Sequence, residues 1–141
     1  MDCNCETPND QNIFMPKECV ITHATQITET EKHFTLKLKD GSPFNYNPGQ
    51  ILEVSVPGYG EVPIGVASSP TRTDSFDIVV RSVGRVSTAI NARLAGQPLW
   101  VRGPLGNGFD LDKLRGHNVL VVAGGIGLCP TRSLIQYILD Q

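Results

Sequence analysis

Gly124, Gly125, Gly127 and Pro130 break an apolar run, Val119-Leu-Val-Val-Ala123, just before a segment with helical periodicity. Glycine enters positive φ at no steric cost and leaves no Cβ in the way of a ligand. Proline has the preset φ of a first helical residue, which is where Pro130 is expected. A phosphate at such a helix start meets unpaired N–H groups and the positive end of the dipole. The chemistry this spacing could do is to hold the pyrophosphate of a nucleotide, with Gly124, Gly125, Ile126 and Gly127 as its cradle. The competing reading is a glycine connector that binds nothing. A proline stands where the dinucleotide fingerprint has its third glycine, so the rest of the chain must decide.

A second constellation of the same kind follows a strand ending near Val83. Gly84 breaks that strand, Ser87 and Thr88 are N-cap candidates, and Ala89 to Leu94 makes a short helix with Gly96 just beyond it. Arg81 and Arg85 flank the strand end, so this start also has the geometry an anion would use.

Other chemistries find little support. Cys3-x-Cys5 is too short a pair to define a metal site, and no second pair or nearby histidine completes four ligands. Cys129 reads either as a small packing residue in the glycine turn or as a thiol beside a cofactor. His23, His33 and His117 have no sequence-local carboxylate or serine partner and read as ordinary surface or turn histidines. There are no paired carboxylates, no nucleophile elbow and no Walker lysine. No side chain is therefore assigned a catalytic role, and in an enzyme a cofactor must carry the reaction.

The elements that would position these sites are mostly short strands. With 14 Gly and 10 Pro in 141 residues, turns should be frequent. Residues 1–17 form a polar arm, expected to be flexible or to dock on a partner. Strands are predicted over Cys19 to Ile27, His33 to Lys39, Ile51 to Val56, Val62 to Ala67, Phe76 to Val83 and Leu99 to Arg102. Phe34, Leu36 and Leu38 alternate with polar residues, as on a strand with one wet face. Six such strands interrupted by one helix predict a mainly β chain, a six-stranded antiparallel Greek-key barrel over residues 18–109. Residues 110–118 read as a linker. Residues 119–141 then begin an α/β unit, with Val119 to Ala123 as a strand covered on both faces and Thr131 to Asp140 as a helix. One parallel strand cannot bury itself, so this second unit is expected to be incomplete.

A net charge of −2 and a pI near 5.9 give no basic excess for nucleic acid or anionic lipid. No apolar run approaches the roughly 20 residues of a membrane helix, and the polar start has no signal-peptide core, so a cytoplasmic location is expected.

This order of motifs, a barrel with a helix start, then Gly103-Pro104-x-Gly106, then a strand ending in Gly-Gly-x-Gly-x-x-Pro, resembles the ferredoxin–NADP reductase superfamily from about Glu18 onward. Within it the chain is most similar to the electron-transfer subunits of sulfhydrogenases, anaerobic sulfite reductase and dihydroorotate dehydrogenase. The resemblance implies FAD on the barrel and NAD(P) on the following domain. It also implies electron transfer between NAD(P)H and a partner's iron–sulfur centre within a hetero-oligomer of hydrogenase or reductase subunits. In some members a [2Fe-2S] cysteine cluster follows, which would lie beyond Gln141. Carried over position by position, the flavin strand corresponds to Val62-Pro63-Ile64-Gly65-Val66-Ala67-Ser68. Ile64 stands where the family has a ring-stacking tyrosine, and Val62 where it has a pyrophosphate-pairing arginine. Arg81 and Ser82 fall beside the adenosine-phosphate portion, and Val86, Ser87 and Thr88 at the helix start beneath the pyrophosphate. Gly103 and Pro104 fall near the nicotinamide, and Gly124 to Gly127 with Pro130 at the dinucleotide turn. Either Arg81 or Arg85 is expected to supply the charge that Val62 lacks. The alternative function is a non-catalytic assembly or docking module that no longer holds flavin.

Overall fold

Alternating burial shapes the sheet. The structure, a computed structural model, describes residues 12–141. The strands are β1 (Lys17–Gln26), β2 (Glu31–Leu38), β3 (Ile51–Val56), β4 (Gly60–Gly65), β5 (Phe76–Arg81) and β6 (Pro98–Leu105). They form one antiparallel sheet in the order β4-β3-β6-β1-β2-β5, so β6 enters between β1 and β3 by a Greek-key connection. A single bridge from Val66, just past β4, to Ile78 on β5 brings the two edges together and nearly closes the barrel. Near-closure removes most of the unpaired edge that an open sheet would expose.

The inward positions are those that alternation picked out. Phe34, Leu36, Leu52, Val54 and Val56 are buried, together with Ile21, Phe76, Ile78, Leu99 and Val101. Strand β5 is buried along nearly its whole length, because the barrel lies on one side and α3 lies near its Asp77 end on the other.

Helix α1 (Arg85–Asn91) lies between β5 and β6 and drives Ile90 fully into the core. It starts three to four residues before the predicted position. Gly84 is the N-cap, and Ser87 sits at the third helical position, where its hydroxyl accepts the N–H groups of Val83 and Gly84 at 3.1 and 3.0 Å. A serine at the third helical position reaches back to the N-cap N–H, whereas an N-cap serine reaches forward to the N–H groups of the first turn, so the same residue type marks a helix start from either side.

The predicted linker contains a single helical turn, α2 (Leu111–Leu114), capped by Asp110, which accepts the Lys113 N–H at 3.3 Å. A 3₁₀ turn, Gly125–Gly127, leads directly into α3 (Leu128–Leu139). Two expectations need correction here. Val119 to Ala123 form no strand: they have no pairing partner among the described residues, and Leu120 and Val122 are 87% and 88% exposed. A β-strand is stabilised by its neighbours, and β-branched composition alone cannot replace a missing ladder. Pro130 is the third residue of α3 and not the first; it is tolerated because N–H groups of the first turn have no intrahelical acceptor anyway.

Helix α3 is seated on the barrel by specific contacts. Arg132 Nη1 donates to the Ala67 carbonyl at 2.6 Å and to Asp77 Oδ2 at 3.1 Å. The Gly49 N–H donates to Ser133 Oγ, and the Ser69 N–H to Gln136 Oε1. At Gly65 a Cβ would lie 2.6 Å from Pro130 Cβ, so only glycine permits this approach of β4 to α3.

Candidate functional site

Strand β4 brings Val62 and Ile64 to the barrel wall, half-buried against the core. Strand β5 ends at Arg81, the chain turns through Val83 and Gly84, and α1 begins. Together with Ile126 from the 3₁₀ turn these segments enclose a groove of about 560 Å³. Its wall is apolar (Val62, Pro63, Ile64, Val79, Val83) and its rim carries Arg81 and Arg85. The N–H groups of Arg85 and Val86, in the first turn of α1, have no intrahelical acceptor. An apolar wall with a few convergent polar groups is the usual form of a cofactor site.

The two arginines are held differently. Arg81 faces Glu31 directly across the β2–β5 pair, and its Nε donates to Glu31 Oε1. Thr28 and Thr30 donate their hydroxyls to the other carboxylate oxygen. Hydrogen bonding from Thr28, then from Arg81 and Thr30, pulls the Glu31 carboxyl down to about 2, so it is ionised at any working pH. Arg85 instead donates to the Gly58 carbonyl at 3.1 Å and lies 5.7 Å from the centre of the Tyr59 ring.

Of the residues assigned from sequence, Pro63, Ile64, Arg81, Val86, Ser87 and Ile126 line the groove. The Ser87 hydroxyl is engaged by Val83 and Gly84, so what it can offer a ligand is its backbone N–H. Ser82 and Thr88 bind each other at 2.8 Å and tie the end of β5 to α1. Gly65 lies under Pro130, away from the opening. Ser68 is buried and its hydroxyl accepts the Asp77 N–H at 2.9 Å and contacts the Tyr46 hydroxyl at 2.9 Å. Burial pushes the Tyr46 hydroxyl up to about 12, although the Ser68 hydrogen bond opposes it. Gly103 and Pro104 line a different small depression, beside Asn12 and Phe44.

The glycine turn is open at two of its positions. A Cβ at Gly124 or Gly127 would meet nothing within 4 Å, and Gly125 adopts φ +54°. Its nearest neighbour is Arg81, whose Nη2 would lie 3.8 Å from a Cβ at Gly125. The turn therefore stands at the rim of the groove. Cys129 is half-buried in the first turn of α3, and burial raises its thiol above the ordinary value, which favours the packing reading over a reactive thiolate. Cys3 and Cys5 lie outside the described residues. Among the described residues no cluster of three or more metal-ligating side chains occurs.

Sequence reasoning missed a second polar cluster, on the same face of β5 as the groove residues Val79 and Arg81. Asp77 lies in the apolar β5 run and is reached by His33 Nε2 at 3.3 Å, Thr35 Oγ1 at 2.9 Å and Arg132 Nη1 at 3.1 Å. Burial alone would raise its carboxyl, but hydrogen bonds from His33, Arg132 and Thr35 bring it down to about 2. A lone aspartate in a buried apolar run was the available signal, since such a charge demands partners. The partners themselves lie 42 to 55 residues away in sequence, and no local pattern reveals them.

Comparison with known proteins gives the family and the fold. The chain is 38% identical over 137 residues to the sulfhydrogenase 1 gamma subunit of Pyrococcus furiosus, covering 95% of this chain and 47% of that one. It is 32% identical over 108 residues to a probable dihydroorotate dehydrogenase B (NAD(+)) electron transfer subunit of Methanopyrus kandleri, covering 77% of this chain and 39% of that one. It thus spans about half the length, or less, of these relatives. Among solved structures, the flavohem-like FAD/NAD binding domain of nitric oxide dioxygenase from Vibrio cholerae superposes with a TM-score of 0.78 at 19% identity. That match covers 89% of this chain and 57% of the other, and at this identity it speaks for the fold. Residues 18–109 match the oxidoreductase FAD-binding domain, and the chain belongs to that family.

Proposed function

We propose that the chain is the flavin-holding portion of an electron-transfer subunit, passing electrons between NAD(P)H and a partner's iron–sulfur centre through FAD. The observation that carries this reading is the groove, where an apolar wall, two guanidinium groups and the open first turn of α1 converge. These residues fit FAD. Val62, Pro63, Ile64 and Val79 offer a surface for a flat ring, and Arg81 with the N–H groups of Arg85 and Val86 offers donors for a pyrophosphate. Bound FAD would supply hydride acceptance and single-electron release, chemistry that no side chain of the site provides. Ile64 would cover a ring face without aromatic stacking, and the apolar wall would exclude water from one side of it.

The turn Gly124 to Gly127 is the proposed dinucleotide cradle, and its position at the groove rim would let two cofactors approach each other. The division into a flavin barrel (18–109), a link (110–118) and the start of a nucleotide unit (119–141) belongs to the same proposal. So do hydrogenase- or reductase-type partner subunits and a cytoplasmic location. Support for the partners comes from the relatives, whose names describe a sulfhydrogenase subunit and an electron transfer subunit.

Reconstitution tests the reading. The purified chain incubated with FAD and desalted should retain about one flavin per chain, with a yellow absorption spectrum and quenched fluorescence. A colourless product after this treatment would favour the alternative, an assembly module without flavin.

A further inference from the structure

Arg81 lines the groove as a cationic donor, and its side chain is aimed by a neighbour across the sheet. Arg81 is the last residue of β5 and 43% of its side chain is exposed, so a free guanidinium would sample many rotamers. Its register partner across the sheet is Glu31, whose side chain is only 13% exposed. The Glu31 carboxylate is itself fixed, because Oε2 accepts the hydroxyls of Thr28 and Thr30 while Oε1 takes Arg81 Nε. Among the described residues the Nη groups of Arg81 meet no acceptor, and Nη2 is the atom nearest to Gly125. Arg85, the other cation of the rim, is engaged at Gly58 and Tyr59.

We propose that Glu31, oriented by Thr28 and Thr30, is a positioning residue: it holds Arg81 by Nε so that the Nη edge faces the gap between the flavin groove and the Gly125 turn. The ligand class is the diphosphate of a dinucleotide cofactor. A guanidinium held on one edge by a carboxylate keeps its opposite edge for planar recognition of phosphate oxygens. Arg81 thereby takes the role that Val62 cannot fill, and the β1–β2 turn becomes part of the cofactor site without touching the cofactor. This inference rests on the flavin reading above.

The carboxylate also opposes an anion electrostatically, so positioning and charge make contrary demands, and the two can be separated. Dissociation constants for FAD should be measured by flavin fluorescence on the full chain, with thermal unfolding as a check of folding. Glu31→Ala is expected to weaken FAD about tenfold, and Arg81→Ala by at least as much. Glu31→Gln keeps an acceptor for Nε and should stay within about threefold of the parent protein. The double variant Glu31→Ala/Arg81→Ala should bind no more weakly than Arg81→Ala alone, because Glu31 acts only through Arg81. Thr28→Val/Thr30→Val, which frees the carboxylate without changing charge, should give a smaller loss, and it serves if Glu31→Ala does not fold. Unchanged or tighter FAD binding in Glu31→Ala, or additive losses in the double variant, would overturn the proposal while leaving the flavin reading intact. Failure of the parent protein to take up FAD would overturn both.

Discussion

Asp77 shows how a single side chain can connect the barrel to the segment that follows it. Its carboxylate accepts from His33 and Thr35 on β2 and from Arg132 on α3, and its folded-state pKa of about 2 lies below its ordinary value of 3.8. A depressed pKa contributes stability that is complete above about pH 4 and is lost as pH falls through 2. Thermal unfolding of Asp77→Asn against the parent chain should therefore show a deficit of about 1–3 kcal/mol at neutral pH. That difference should shrink as the pH is lowered from 4 to 2. A deficit that stays constant over this range would mean that the charge is irrelevant.

Among the elements, α3 is the one whose seating decides the site. The 3₁₀ turn that brings Ile126 to the groove runs directly into α3, whose Pro130 approaches Gly65 closely. Gly65→Ala places a methyl carbon 2.6 Å from Pro130 Cβ, a distance that backbone shift must relieve. Overpacking of this kind costs about 1–3 kcal/mol, here directed at the α3 interface and not at the barrel core. Amide hydrogen exchange should then speed up in residues 128–139 and stay unchanged in β1 and β2. The contacts of Arg132, Ser133 and Gln136 with the barrel are the ones expected to loosen with it.

For the molecule as a whole, the barrel buries its apolar residues while the segment after it leaves several exposed. Leu120 and Val122, in a run with no ladder partner among the described residues, and Leu139 at the end of α3 are about four-fifths exposed or more. An unpaired, apolar, β-prone stretch is a template for association. Light scattering of the chain should rise with concentration, and Leu120→Lys/Val122→Lys should suppress it while leaving the unfolding temperature within about 2 °C, since neither side chain packs on the core. Equal association in the charged variant would assign the contact elsewhere.

The six strands, the faces of β2 and β3, and both glycine turns were legible from residue order, because period-two burial and glycine punctuation are local properties of the chain. Asp110's capping turn and the early start of α1 were not, since short polar residues serve a cap from either side of it. Val119 to Ala123 carries the composition of a buried strand and is none, because a strand is made by its neighbours. Folding in three dimensions alone placed Glu31 opposite Arg81, joined Asp77 to His33 and Arg132, set Gly103 and Pro104 apart from the groove, and withdrew Ser68 into the core. Each of these depends on contacts between residues distant in sequence, whose distances are fixed by sheet register and helix seating, and neither is written in any local pattern.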